Sequence, residues 1–204
     1  MSTILENLEL TMSTIAVVVE PPKEAPRFDE AYLLRFLHSP FGIGQLADGQ
    51  TVITSNRDQI EIWLSPARIE VRDLSGKTEF DNSRLPELLK SFFTEYRTTL
   101  RSYGVNLIVS LEKERPAEWI SAHMLHPELS HIIEKSVIGS NAVSVSLQAA
   151  PKTWNIQFSV QQSRLQVNLN ASEGTDELPS DDDLRTQLDE QYDSLVNLIS
   201  QLGS

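Results

Sequence analysis

The chain has 204 residues, 40% of them apolar, and a net charge of −12. That is enough apolar material for an ordinary core, and the absence of cysteine excludes disulfides, thiolate nucleophiles and Cys-based zinc sites. The negative charge disfavours direct binding to nucleic acid or anionic lipid, because each phosphate contact needs a local cation.

Residues 1–12 have no clear period and predict a flexible N-terminus. Its acids Glu6 and Glu9 stand where a secretory signal carries bases, and the apolar run Thr14–Val19 is too short to span a bilayer. A cytoplasmic protein without membrane contact is the expectation. Ile15–Val19 is β-branched and stops at Pro21-Pro22, so it predicts a strand. Phe28–His38 reads as a short helix ended by Ser39-Pro40, and Gly42, Gly44 and Gly49 mark a flexible loop. Thr51–Thr54 predicts a strand. Gln59–Leu64 and Arg68–Asp73 alternate apolar and polar residues around Pro66-Ala67, the pattern of an antiparallel hairpin with one buried face. Leu85, Leu88, Leu89, Phe92, Phe93, Tyr96 and Leu100 form an apolar stripe on a helix predicted over Arg84–Arg101.

The second half repeats this order. Val105–Leu111 predicts a strand, Ala117–Leu125 a short helix, and Glu128–Val137 further helical turns. Ala142–Leu147 predicts a strand, Trp154–Gln161 and Arg164–Asn170 a hairpin, and Asp181–Leu202 a closing helix. Ser180 and Asp183 have the spacing of a capping box, with Asp in the Glu position. At an offset of 96 the hairpins align through Ile60/Ile156, Ile62/Phe158, Leu64/Val160 and Val71/Val167. At 99 the long helices align through Leu85/Leu184, Leu89/Leu188 and Phe93/Tyr192, and at 88 the short helices align through Phe36/Met124 and Leu37/Leu125.

The expected fold class is therefore α+β, a tandem duplication of a β-α-β-β-β-α unit. It comprises a mostly antiparallel sheet of about eight strands with long helices packed on one face. The first half covers 13–104 and the second 105–204, related by an approximate two-fold and able to form one compact domain. Two half-sheets that merge and two that pack face to face both satisfy the pattern. Along Gln59–Val109 and Trp154–Leu202 the chain resembles an uncharacterised, sporadically distributed bacterial family of two strand-rich halves. In that family each half leads from a strand hairpin to a long helix. The resemblance implies this architecture and carries no activity or site residues.

Charge separates the halves. Glu20–Gly104 holds 11 basic against 13 acidic residues, and Val105–Ser204 holds 6 against 14. Glu173, Asp176, Glu177, Asp181, Asp182 and Asp183 form the densest acidic stretch, a candidate docking patch, cation site or nucleic-acid decoy. Asp181–Asp183 equally suit a helix N-terminus, where carboxylates oppose the positive end of the macrodipole, and their spacing lacks the ligands and Gly of an EF-hand loop. His123 and His126, with His131, Glu118 and Glu128 nearby, have the helical spacing of a zinc pair. Pro127 interrupts that helix, and no His-Glu-x-x-His motif is present. Trp63 lies on the strand face opposite Ile62 and Leu64. It is a binding anchor if that face is open and a core residue if the half-sheets pack together.

Gly42-Ile-Gly44 lacks the Lys-Ser/Thr of a phosphate loop, and no Gly-x-Ser-x-Gly elbow occurs. No catalytic residue or cofactor is assigned. The expected function is that of a non-catalytic protein-interaction protein of adaptor, immunity or inhibitor type. The alternatives are an acidic nucleic-acid mimic acting on a DNA- or RNA-binding partner, and a small-ligand binder or enzyme with its site between the halves.

Overall fold

The structure, a computed structural model, describes residues 7–22, 28–37, 39–124, 142–161 and 163–202. Among them are one nine-stranded antiparallel sheet and four α-helices. The strands are β1 (Leu8–Val19), β2 (Gly42–Gln45), β3 (Thr51–Ser55), β4 (Ile60–Ser65), β5 (Arg68–Asp73), β6 (Leu100–Leu111), β7 (Ala142–Ala149), β8 (Lys152–Gln161) and β9 (Arg164–Gly174). The helices are α1 (Glu30–Leu33), α2 (Leu85–Tyr96), α3 (Pro116–Met124) and α4 (Asp181–Leu202). No described helix is long and apolar enough to cross a membrane.

Strand order is β2-β3-β4-β5-β1-β6-β9-β8-β7. The half-sheets thus merge edge to edge along β1 and β6, whose register runs from Leu8↔Leu111 to Val19↔Leu100. Outward from this seam, one side runs β5, β4, β3, β2 and the other β9, β8, β7. The two hairpins share one register: Ile60 pairs with Asp73 and Ser65 with Arg68, as Ile156 pairs with Leu169 and Gln161 with Arg164.

Three expectations are corrected. The predicted flexible segment 1–12 contributes Leu8–Met12 to the central strand β1. Its apolar residues change parity, Leu8 and Leu10 even but Ile15, Val17 and Val19 odd, and this conceals one strand in the sequence. A bulge between Leu10 and Met12 absorbs the extra residue, and Thr11 donates its hydroxyl to the Ile108 carbonyl at 2.9 Å. The glycine-marked loop contains β2, a four-residue exposed strand, so the sheet has nine strands and not about eight. The long helix stops at Tyr96, because Arg97 adopts a left-handed conformation with φ 47°. Leu100 is consequently buried from a strand.

One face of the sheet carries nearly the whole core. Ile53, Ile62, Val71, Ile15 and Val105 lie in one cross-strand row, all buried beneath the helices. Helix α2 packs over β5 and β1, α4 over β6, and α3 over β7, β8 and β9. Between α1 and α2 an aromatic cluster forms, with the Phe28 and Phe92 ring centroids 4.9 Å apart. The long helices are tied together by Lys90–Asp181 at 2.5 Å, by the Arg185–Glu87 ion pair and by the Phe80–Tyr192 ring contact at 6.2 Å. Leu107 is fully buried beside the seam. Leu107→Ala should therefore lower unfolding free energy by about 2–5 kcal/mol. Urea denaturation should show tryptophan fluorescence and circular dichroism falling in a single coincident transition.

Candidate functional site

Alternation along a strand sends Trp63 to the side opposite Ile62 and Leu64, and register then fixes its neighbours. Trp63 stands between Val52 and Glu70; Glu70 faces Ala16, and Ala16 faces Gly104. All four helices bury their apolar residues on the other side, so no described helix covers this face.

The face has two zones. At the first-half end, Trp63 Nε1 donates to Glu61 Oε2 at 2.9 Å, and the Arg72 guanidinium lies 4.1 Å from the indole centroid. Arg72 Nε donates to Glu70 Oε1 at 2.6 Å, and Arg68 Nε to Glu70 Oε2 at 3.0 Å. Two carboxylates and two guanidinium groups neutralise one another around an indole whose orientation they fix. Cation–π stacking at such a half-buried site contributes about 0.5–2 kcal/mol. Gln50, Trp63, Ser65, Arg68, Glu70 and Arg72 line a recess of about 240 Å³.

Toward the second half the face becomes an amide and hydroxyl surface. One row runs Thr14, Asn106, Asn170, Asn155, Ser146 and the next Ile108, Asn168, Gln157, Ser144. Among the described residues its charge is confined to the Arg164–Glu9 pair, 2.9 Å apart. Thr14 Oγ1, Asn106 Oδ1, Asn168 Oδ1 and Arg164 Nε are shielded without a hydrogen-bond partner among the described residues. Such groups are few in folded proteins, and four gather here.

The acidic residues singled out in the sequence lie elsewhere. Glu173 is on the helix-covered face, where its carboxylate accepts from the Tyr103 hydroxyl at 3.2 Å; burial is the main cause that raises the Tyr103 pKa. Asp181 Oδ1 pairs with Lys90, and Asp182 Oδ1 accepts from Arg185 at 2.9 Å. Asp183 Oδ2 accepts from the Ser180 hydroxyl at 2.6 Å and from its backbone N–H at 3.2 Å, while the Asp183 N–H donates to Ser180 Oγ at 3.1 Å. This reciprocal cap holds the Asp183 carboxyl below its ordinary range. Asp176 and Glu177 are exposed in the loop before α4. Trp63 and the acids therefore do not form one site.

His123 Nδ1 donates to the Trp119 carbonyl at 2.9 Å, and its ring stacks on Trp119 at 4.6 Å. His126, His131 and Glu128 lie outside the described residues. Among the described residues no three His, Cys, Asp or Glu side chains converge as metal ligands. The Ser39, Ser55 and Asp58 side chains form a hydrogen-bonded trio, both hydroxyls donating to Asp58 Oδ2 at 2.9 and 3.1 Å. Both serines are buried, and the trio ties the end of β3 to the segment before β2. A larger open cleft of about 750 Å³ lies between the β3–β4 turn and the segment before α2. Its Arg84 is committed to the Phe36 carbonyl.

Sequence reasoning found Trp63 but missed its locking partners. The signal was present: in a hairpin turning at Pro66-Ala67, Glu70 stands opposite Trp63, and Arg72 lies diagonally to it. The asparagine row was legible only in part: the β8–β9 hairpin sets Asn155 opposite Asn170, but the pairing of Asn170 with Asn106 and of Asn106 with Thr14 depends on how β6 is placed between β1 and β9.

Two stability predictions follow from the acidic helix. Ser180→Ala should destabilise the protein by about 1 kcal/mol in chemical denaturation through loss of the cap. Asp189 is raised above its ordinary value of 3.8 by burial first, then by Asp81 and Asp193. The folded protein therefore favours the protonated carboxyl, a stabilisation present below the unfolded value and lost as pH rises through the folded one. Asp189→Asn should melt above wild type at neutral pH, the difference shrinking in thermal scans as pH falls toward 3.8. No protein-family model matches this chain, and no curated protein matches it.

Proposed function

We propose that this chain is a non-catalytic protein-interaction protein of the cytoplasm, adaptor, immunity or inhibitor in type. It docks its protein partner on the face of the sheet that no described helix covers, with Trp63 as the anchor. The observation that carries this reading is the preset indole. Interface hot spots are large aromatics held in place before binding, and Glu61 and Arg72 hold this one.

The rival readings have less support. A nucleic-acid mimic requires carboxylates spread along one continuous surface, whereas Asp181, Asp182 and Asp183 are engaged in the cap and in ion pairs. A ligand site between the halves requires a cleft at their junction, and that junction is the paired strands β1 and β6.

We also infer that the chain arose by tandem duplication. Matching strand order about the seam and identical hairpin registers support it. So does the placement of α1 and α2 at the positions that the sequence offsets align with α3 and α4. The strand β2 has no counterpart among the described residues.

Trp63→Ala should leave the fold intact by circular dichroism and weaken partner binding by about 2 kcal/mol or more, roughly thirtyfold. The comparison is quantitative affinity capture from the source cells with wild type and variant, followed by titration of the purified partner. A partner that binds both equally, but is lost on charge reversal of Asp176 and Glu177, would replace this reading with docking through the acidic loop.

A further inference from the structure

We infer that β7 is a self-association edge, through which two copies of this chain join their sheets about a two-fold axis at Val145. Among the described residues no strand pairs with the outer side of β2 or β7, and the two edges differ in kind. At one, β2 has four residues, two of them Gly, and follows Pro40. A short, interrupted edge strand is a poor template for another chain. At the other, β7 offers eight consecutive residues, Ala142–Ala149, paired with β8 in unbroken register from Ala142↔Ser159 to Ala149↔Lys152. It contains no charged residue, proline, glycine or bulge. Alternate residues of an antiparallel strand direct their N–H and C=O groups away from the existing partner, so the outer side of β7 is a ladder ready for pairing.

Composition selects the occupant. The chain carries a net charge of −12, yet between Ala142 and Gln161 the one ionisable side chain is Lys152. A second copy can approach here without the repulsion it meets elsewhere. The sequence of β7 is also self-complementary about Val145. An antiparallel partner centred there sets Val145 opposite Val145, Val143 opposite Leu147 and Ser144 opposite Ser146. Apolar side chains then meet on the helix side and hydroxyls on the polar side. Val145 and Leu147, 39% and 51% exposed in the single chain, become covered. The arrangement repeats the antiparallel junction by which β1 and β6 join the two halves. Rotation about an axis normal to the sheet keeps both polar faces on the same side, so the dimer presents two Trp63 platforms in one plane. This inference concerns the edge and stands independently of what docks on the face.

The chain has no cysteine, so a single introduced thiol reports the register. Residues facing each other across antiparallel strands have Cα atoms about 4.5–5.5 Å apart, within disulfide range. Purified wild type should sediment as a dimer, and Val145→Cys should cross-link to itself under mild oxidation about tenfold faster than Leu147→Cys or Ile43→Cys. Val145→Lys sets two ammonium groups together at the axis and should raise the dimer dissociation constant at least about tenfold, with the thermal transition of the monomer retained. A wild type that stays monomeric at its highest soluble concentration overturns the proposal. So does a dimer indifferent to Val145→Lys, or cross-linking as fast at Ile43 as at Val145. An extended peptide of another protein that binds β7 to a wild type remaining monomeric also counts against it.

Discussion

Two twelve-residue strands, β1 and β6, lie side by side at the centre of the sheet, and their antiparallel hydrogen bonding makes one body of two half-sheets. Each half alone would expose a long central strand and strip its helix of one wall. Joined, Ile15, Val17, Val105 and Leu107 become fully buried, and α2 and α4 lie close enough for Lys90 to meet Asp181 and Arg185 to meet Glu87. The seam also sets the register between halves, because every strand outward from it is placed by pairing with the previous one. Two bulges, near Thr11 and Val18, keep apolar residues on the helix side despite changes of parity along both strands.

All the described helices serve one side of the sheet, and the opposite side is held in place by interactions among its own side chains. In the first half this is done with compensated charge, since Glu61 and Glu70 hold Arg72 over Trp63 and Arg68 at the margin. In the second it is done with amides and hydroxyls in cross-strand rows. The net negative charge is concentrated elsewhere, in the loop before α4 and along that helix, where much of it is consumed by capping and by ion pairs to α2. The polar face, with its charges paired, and the β7 edge, with none, stand apart from that acidic region.

Hairpins β4–β5 and β8–β9 were legible because strict alternation around a short turn admits one pairing. Helix α4 was legible to its ends because an apolar stripe follows a capping motif at Ser180 and Asp183. The strand β2 was not legible, since its two glycines carry no apolar signal and it is recruited only by β3. Nor was the start of β1, where the bulge breaks the period. Leu100 matched the stripe of α2 because a buried position on a strand and one on a helix demand the same kind of side chain.

The amino-acid sequence by itself determined most of the elements, their polarity and the shared pattern of the two hairpin-and-helix segments, all properties of local spacing. It also determined that β7 carries neither charge nor proline. Whether Trp63 lay in a core or on a surface was decided only by the tertiary structure, because merging and face-to-face packing of two half-sheets satisfy the same alternation. The tertiary structure also decided the fate of Asp181. Asp182 and Asp183 are engaged locally, by Arg185 three residues on and by the Ser180 cap, but only the packing of α2 against α4 brings Lys90 to Asp181.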